Sequence, residues 1–202
     1  KGDLYVVSWD PSLGTGGDYA AMQVINANTT TQIAEWKHNK TDIPNQIRLL
    51  AQICKYVEEQ TKEANNIYYS IENNSIGEAA LVSLNEYGEF NIPGTFVSEP
   101  GKKRKGFNTN NKSKLTACAK FKTLVESKKM TIYSRSLISE LKSFVASGGS
   151  YAAKIGDTDD LIMASLLSVR IMQQLGEYHF ELDSYMRDHD EVIEPLPFFA
   201  VF

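Results

Sequence analysis

Cysteine is almost missing from this chain of 202 residues. The two present, Cys54 and Cys118, are far apart. They form no CxxC pair and no zinc-ligand spacing, which excludes a zinc finger and a disulfide-stapled miniprotein. Reduced thiols in a cytosolic setting are the simplest reading. Long apolar runs are also missing. The longest, such as Leu161 to Leu167, are too short and too polar to span a bilayer. No basic segment followed by an apolar one opens the chain, so no secretory signal is visible. Histidine is scarce, and His38, His179 and His189 lie away from the acidic motifs, as surface or edge residues would. There is no GxxxxGK[ST] phosphate loop, no internal repeat and no low-complexity tract.

What is present suits a globular domain. Hydrophobic residues make up 42% and charged residues 23%, which excludes a disordered tail or a collagen. The length leaves room for one domain, 1–202. Lys1, placed directly before a strand-like run, suggests a piece of a longer protein. The net charge of -4 is unevenly spread. Residues 101–130 carry ten Lys and Arg and a single acid, Glu126, whereas residues 177–194 carry seven acids and one Arg. A concentrated basic stretch on an acidic protein points to a local polyanion contact.

The pattern of side chains predicts three opening strands: Leu4–Trp9 ending in Asp10, Tyr19–Asn26 and Gln32–Lys37, joined by short turns. Thr41 or Asp42 caps a helix whose Ile43, Ile47, Leu50, Cys54 and Val57 form one apolar face. Asn66–Glu72 is a fourth strand, followed by a helix from Ser75 or Gly77 to Leu84. Residues 86–111, rich in Gly, Pro, Asn and Lys, read as a basic loop or ribbon with little core. Beyond it come a helix at 112–127, a short strand at 130–133, a short helix at 136–144, a break at Gly148-Gly149, and a long helix from Asp159 to about Leu175 capped by Thr158. The tail is acidic and ends in Pro195-Leu196-Pro197-Phe198-Phe199. A meander followed by strand–helix alternation implies an α/β fold with a mixed sheet and helices on its faces.

The acids stand at element ends. Asp10 closes the first strand, Glu72 closes the fourth, and Asp157, Asp159 and Asp160 crowd the start of the last helix. If the first and fourth strands are parallel neighbours, Asp10 and Glu72 converge, and the helix can bring its acids to the same place. Gathered carboxylates repel, and hard divalent cations compensate them. Two such ions can support in-line phosphoryl displacement with no catalytic His or Ser. Taken singly, each acid reads first as a cap or turn residue, and it is the combination that points to a cation. Asp18, after the Gly-rich turn, either holds a metal-bound water or closes the turn. Lys102, Lys103, Arg104 and Lys105, with Lys112 and Lys114, flank Gly106-Phe107. They offer attraction for phosphates next to acids that would repel them.

WDPSLGTGGDYAAMQV, YYSIENNSIGEA, KGFNTNNKSK, LISELKSFV and GDTDDLIMASLL, in this order, resemble the nuclease domain of the large terminase subunits of tailed bacteriophages, most closely the myovirus type. The similarity runs from about Leu4 to Leu175, and the PLPFF ending is similar too. It implies a ribonuclease H-like (RuvC-like) fold, with a catalytic core at 4–175 and an acidic extension at 176–202. It implies a metal-dependent endonuclease that cuts concatemeric double-stranded viral DNA during headful packaging. Mg²⁺ is the implied cofactor, as two ions, with Mn²⁺ able to substitute. The residues that match the family's acids are Asp10, Glu72 and the Asp159-Asp160 pair, with Asp160 favoured, and Asp18 as a further acid. An acid found three positions after the first Asp in some relatives is Leu13 here.

The resemblance also implies partners: an ATPase domain in the same parent chain, the portal and the small terminase subunit. The implied location is the host bacterial cytoplasm, transiently at the procapsid portal, with no membrane contact and no secretion. Without a phosphate loop, this piece is expected not to hydrolyse ATP. The alternatives are a RuvC-like junction resolvase, a half-domain of the actin and sugar-kinase class, and a non-catalytic binding module.

Overall fold

Two runs of alternating apolar side chains build the centre of the molecule. In β1 (Tyr5–Asp10), Val7 and Trp9 face one side of the sheet, and Val6 and Ser8 the other. In β4 (Ile67–Ile71), Ile67, Tyr69 and Ile71 face the first side, and Tyr68 the second. This period of two lets both faces be buried at once. The computed structural model describes residues 2–62 and 64–178. Residues 179–202, which include most of the acidic run, the PLPFF segment, His179 and His189, lie outside them.

With β2 (Ala20–Asn26), β3 (Thr31–His38) and β5 (Thr95–Phe96), these strands form a five-stranded sheet in the order β3-β2-β1-β4-β5. β1, β2 and β3 pair antiparallel, as a meander does, whereas β4 runs parallel to β1 and to β5. Helices cover both faces. On one side lie α1 (Ile43–Thr61) and α2 (Ser75–Tyr87), whose Ile47, Leu50, Cys54, Val57, Ala80 and Leu84 pack on Val7, Trp9, Tyr69 and Ile71. On the other lie α3 (Asn111–Glu126), α4 (Arg135–Ser143) and α5 (Asp160–Tyr178), which share a second core with Val6, Ala21 and Ile25. Each fully buried side chain of this size contributes roughly 1.5–3 kcal/mol. No described helix is long and apolar enough to cross a membrane.

The helix starts follow local chemistry. Asp42 accepts from the Asn45 amide with Pro44 in the first turn of α1, and Asn74 accepts from the amides of Ile76 and Gly77 at α2. Asn110 and Ser113 form a capping box at α3.

Three elements differ from the sequence reading. Residues 130–133 make a single bridge, Thr31 to Thr131, and not a strand. The side chain of Gln32 takes the amides of Tyr133 and Ser134 that a continuing ladder would have used. The break at Gly148-Gly149 is instead the turn of a hairpin, β6 (Phe144–Ser147) paired with β7 (Ser150–Ala153). Both glycines have positive φ, as a two-residue hairpin turn demands. The basic loop also donates the two residues of β5 to the sheet edge.

Candidate active site

The same alternation that buries Val6 and Ser8 points Asp10 toward α5. Ser8 and Ser70 are register partners in the parallel pair, and the Glu72 amide donates to the Trp9 carbonyl at 2.9 Å. Asp10 and Glu72 therefore emerge side by side from the C-terminal ends of adjacent strands, where open α/β sheets bind their ligands. Both are nearly buried, at 8% and 6% exposure.

Backbone contacts clamp Glu72 from two sides. The loop at Gly106-Phe107 bridges to it, with the Phe107 amide donating to the Ile71 carbonyl at 3.0 Å and the Asn73 amide donating to the Phe107 carbonyl at 2.7 Å. The first turn of α2 presses on the other side. A Cβ at Gly77 would stand 2.1 Å from the Glu72 carbonyl oxygen, and one at Gly106 would stand 2.7 Å from that of Ile71. No side chain other than hydrogen fits either place.

Helix α5 delivers the third acid. Ser8 Oγ donates to the Ala164 carbonyl at 2.7 Å and lies 2.7 Å from Ser168 Oγ, so the helix rests on small residues close to the sheet. Asp160 sits one turn before Ala164, about 6 Å along the axis, and Asp10 lies two residues beyond Ser8, about 6.6 Å along the strand. These matched steps bring Asp160 to the level of Asp10. The start of α5 takes its cap from another helix: the Ile162 amide donates to Glu140 Oε2 at 3.1 Å. Thr158 does not cap it, since its hydroxyl binds Lys37 Nζ at 2.5 Å and Glu140 Oε1 at 3.2 Å.

Electrostatics follows from the crowding. Burial raises the Asp10 carboxyl well above its ordinary range, and the charge and hydrogen bond of Glu72 push the same way, followed by the charges of Asp160 and Asp159. Burial also raises Asp160, opposed by the ammonium of Lys37 at 3.2 Å. Lys37 Nζ lies 2.5 Å from Glu140 Oε1 and 4.4 Å from the centre of the Tyr19 ring. Burial would lower its pKa, but the hydrogen bond and charge of Glu140, with those of Asp160, raise it. Asp159 turns toward Lys114, at 3.8 Å.

The all-oxygen donor set fits a hard divalent cation in kind. Two further buried oxygen atoms, Ser12 Oγ and Asn73 Oδ1, follow the carboxylates closely in sequence and have no hydrogen-bond partner among the described residues. In this arrangement, with Asp160 held by Lys37, no three His, Cys, Asp or Glu side chains among the described residues come close enough to hold one ion. Asp18 is exposed in its bend and is not among the charges acting on Asp10.

The basic residues line up less uniformly than the sequence suggests. Lys102, Lys103 and Lys112 are exposed. Arg104 is paired with Glu78 at 2.5 Å, and Lys105 is paired with Glu89. Lys114 is largely covered, between Asp159 and the Phe144 ring. A separate cavity of about 610 Å³ under the β6–β7 hairpin is apolar, lined by residues such as Phe121, Val125 and Phe144, and none of the site acids lines it.

Residues 7–169 match the model of the terminase RNase H-like domain. The chain belongs to this family. The terminase domain is also similar in fold to solved structures at low identity. The large terminase nuclease of thermophilic phage G20c with bound magnesium is 17% identical, with a TM-score of 0.62 over 83% of this chain and 81% of that one. The nuclease domain of Thermus phage P74-26 is 17% identical, with a TM-score of 0.58 over 82% and 78%. The human cytomegalovirus terminase nuclease domain, manganese-soaked and inhibitor-bound, is 13% identical, with a TM-score of 0.62 over 88% and 86%. The mixed sheet with helices on both faces is thus the ribonuclease H-like fold. Neither the resolvase nor the sugar-kinase alternative is favoured.

Three residues of the terminase domain escaped the sequence reading: Lys37, Glu140 and Arg170. Arg170 on α5 donates to Thr109, Glu99 and the Asn108 carbonyl at 3.1–3.3 Å and covers the Phe107 ring, tying the basic loop to the helix that carries Asp160. One signal existed for Glu140. An acid on a short amphipathic helix, inside a motif shared with the family, is unusual on the buried side.

Proposed function

We propose that this domain is a divalent-metal-dependent endodeoxyribonuclease that cuts concatemeric double-stranded viral DNA during headful packaging. The observation that carries this reading is the buried Asp10 and Glu72 carboxyl pair at the ends of parallel strands, with Asp160 brought to the same level by α5. Family membership supports it. So does the description of related nuclease domains with magnesium or manganese.

Asp10, Glu72 and Asp160, with Asp159 beside them, are the residues that would hold Mg²⁺, as two ions, or Mn²⁺ in its place. A bound divalent cation would lower the pKa of a water and stabilise charge on the phosphate. The chain's own work is positional. The strand ends and the two close glycine contacts hold Glu72, and α5 sets the height of Asp160. The proposed role of Asp18 is to order a metal-bound water. Lys102, Lys103, Arg104, Lys105, Lys112 and Lys114 would hold the DNA backbone without reading sequence.

The domain is read as a single nuclease unit, with its core at 4–175 and an acidic extension at 176–202. Its proposed partners are duplex DNA, an ATPase domain in the parent chain, the portal and the small terminase subunit. Its proposed place is the host cytoplasm, transiently at the procapsid portal. No ATP hydrolysis is expected from this fragment.

The test is Mn²⁺- or Mg²⁺-dependent cleavage of linear duplex DNA by the wild-type chain and by Asp10→Asn and Glu72→Gln. Each variant should stay folded by circular dichroism and lose more than about 100-fold in rate, beyond the usual effect of residues that only support a metal ligand. Undiminished cleavage by either variant would overturn the assignment.

A further inference from the structure

The ammonium of Lys37 lies 3.2 Å from Asp160, and this cation belongs to the protein. It reaches from the edge strand β3 to three oxygen atoms: Glu140 Oε1 at 2.5 Å, Thr158 Oγ1 at 2.5 Å and Asp160 Oδ2 at 3.2 Å. Its side chain is 19% exposed, and that of Glu140 is 8% exposed. Glu140 in turn holds the Ile162 amide at the start of α5. Lys37 therefore joins β3, α4 and α5 at the turn that carries Asp160.

We infer that Lys37 is a positioning residue that acts as a resident counter-ion, parking Asp160 away from the Asp10 and Glu72 pair until Asp160 exchanges it for a divalent cation. This inference rests on the nuclease reading above. Two observations support the exchange. Asp160 acts on Asp10 electrostatically, yet no three acids among the described residues gather while Lys37 holds it. The ammonium also has somewhere to go. A polar cavity of about 350 Å³ opens beside it, lined by Tyr19, Ser136, Ser139, Ser143 and Asp157, together with Glu140 and Thr158, which bind it already. Released by Asp160, Lys37 can keep Glu140 and Thr158 and turn toward that water-accessible space. The crowded acids are thereby kept from repelling one another before an ion arrives, at the expense of affinity for the ion.

Two measurements test this without relying on cleavage. Calorimetric titration of the metal-free chain with Mn²⁺ should show Lys37→Met binding roughly fivefold or more tightly than wild type, the lower end of ordinary coupling between sites. Lys37→Arg, which keeps the charge, should stay near wild type. A residue that only supports the fold would weaken binding when replaced. In the wild-type chain, amine labelling of Lys37 read by mass spectrometry should be slow without metal and should accelerate when Mg²⁺ saturates the site, while labelling of the exposed Lys102 stays constant. Binding by Lys37→Met no tighter than wild type, or labelling of Lys37 indifferent to Mg²⁺, overturns the inference and leaves the nuclease reading standing. A wild-type chain that binds no Mn²⁺ overturns both.

Discussion

Asp10 and Glu72 emerge side by side although 61 residues lie between them, because their strands run parallel and Glu72 follows the residue paired with Trp9. Two buried carboxyl groups this close cannot both ionise without strong mutual repulsion. A protein gains nothing in stability from such a pair, so the pair is a signature of a site.

Replacing Asp10 should therefore stabilise the metal-free protein. The folded-state pKa of this acid is raised above its ordinary 3.8. Its contribution to stability is full below that ordinary value and is lost as pH climbs through the raised folded value. In a chelating buffer, wild type should weaken across that window, and Asp10→Asn should not share that loss. At neutral pH the variant should be more stable by about 0.5–2 kcal/mol, the usual gain from a single stabilising substitution. Urea melts at several pH values check this. A variant no more stable than wild type at neutral pH would contradict it.

Gly77→Ala should disturb Glu72 without altering any charge. The added methyl would stand 2.1 Å from the Glu72 carbonyl oxygen, so helix or strand must move. The expected loss is about 1–3 kcal/mol, typical of overpacking. Gly17→Ala, where a Cβ meets nothing within 4 Å, is the control and should melt like wild type.

The exposed lysines should govern binding to DNA more than their paired neighbours. Lys102 and Lys103 are exposed, whereas Arg104 and Lys105 already face Glu78 and Glu89. Substituting Lys102 and Lys103 with Ala should weaken binding to all duplex sequences alike. It should flatten the plot of log affinity against log salt by about 0.9 for each phosphate that is no longer neutralised. The Arg104 and Lys105 pair should matter less. Fluorescence anisotropy across a salt series gives both slopes, and equal slopes would refute the ranking.

Arg170→Lys should loosen the loop that carries these charges. A lysine cannot reproduce the forked hydrogen bonds to Glu99, Thr109 and the Asn108 carbonyl. Losing hydrogen bonds to a charged group costs roughly 1.5–3 kcal/mol. Amide exchange at residues 98–109 should speed up while that of β1 is unchanged. Unaltered exchange in the loop would show that Arg170 does not hold it.

Much of this architecture was legible in the residues. LYVVSW and NIYYSI each run apolar into an acid, and that alone places Asp10 and Glu72 at strand ends. The Gly-Gly pair at 148–149 marked a turn, but the flanking strands are four residues each and only partly covered, so they carry little hydrophobic signal. Residues 130–133 looked like a strand because their side chains suit one. What cancels the pairing is the side-chain amide of Gln32, which lies about a hundred residues earlier. Glu140 and Lys37 were hidden for the same kind of reason. Their partners lie far off in the chain, and the inward turn of Glu140 follows from a helix start, 22 residues later, whose own Thr158 is engaged elsewhere.

The seat of α5 on Ser8, Ala164 and Ser168 makes the helix a lever whose tip carries Asp160. A single added methyl at that fulcrum would tilt the tip away from the strand ends. Loss-of-function substitutions should therefore cluster along a smooth, uncharged track that starts a turn behind Asp160, where a search for reactive side chains would never look.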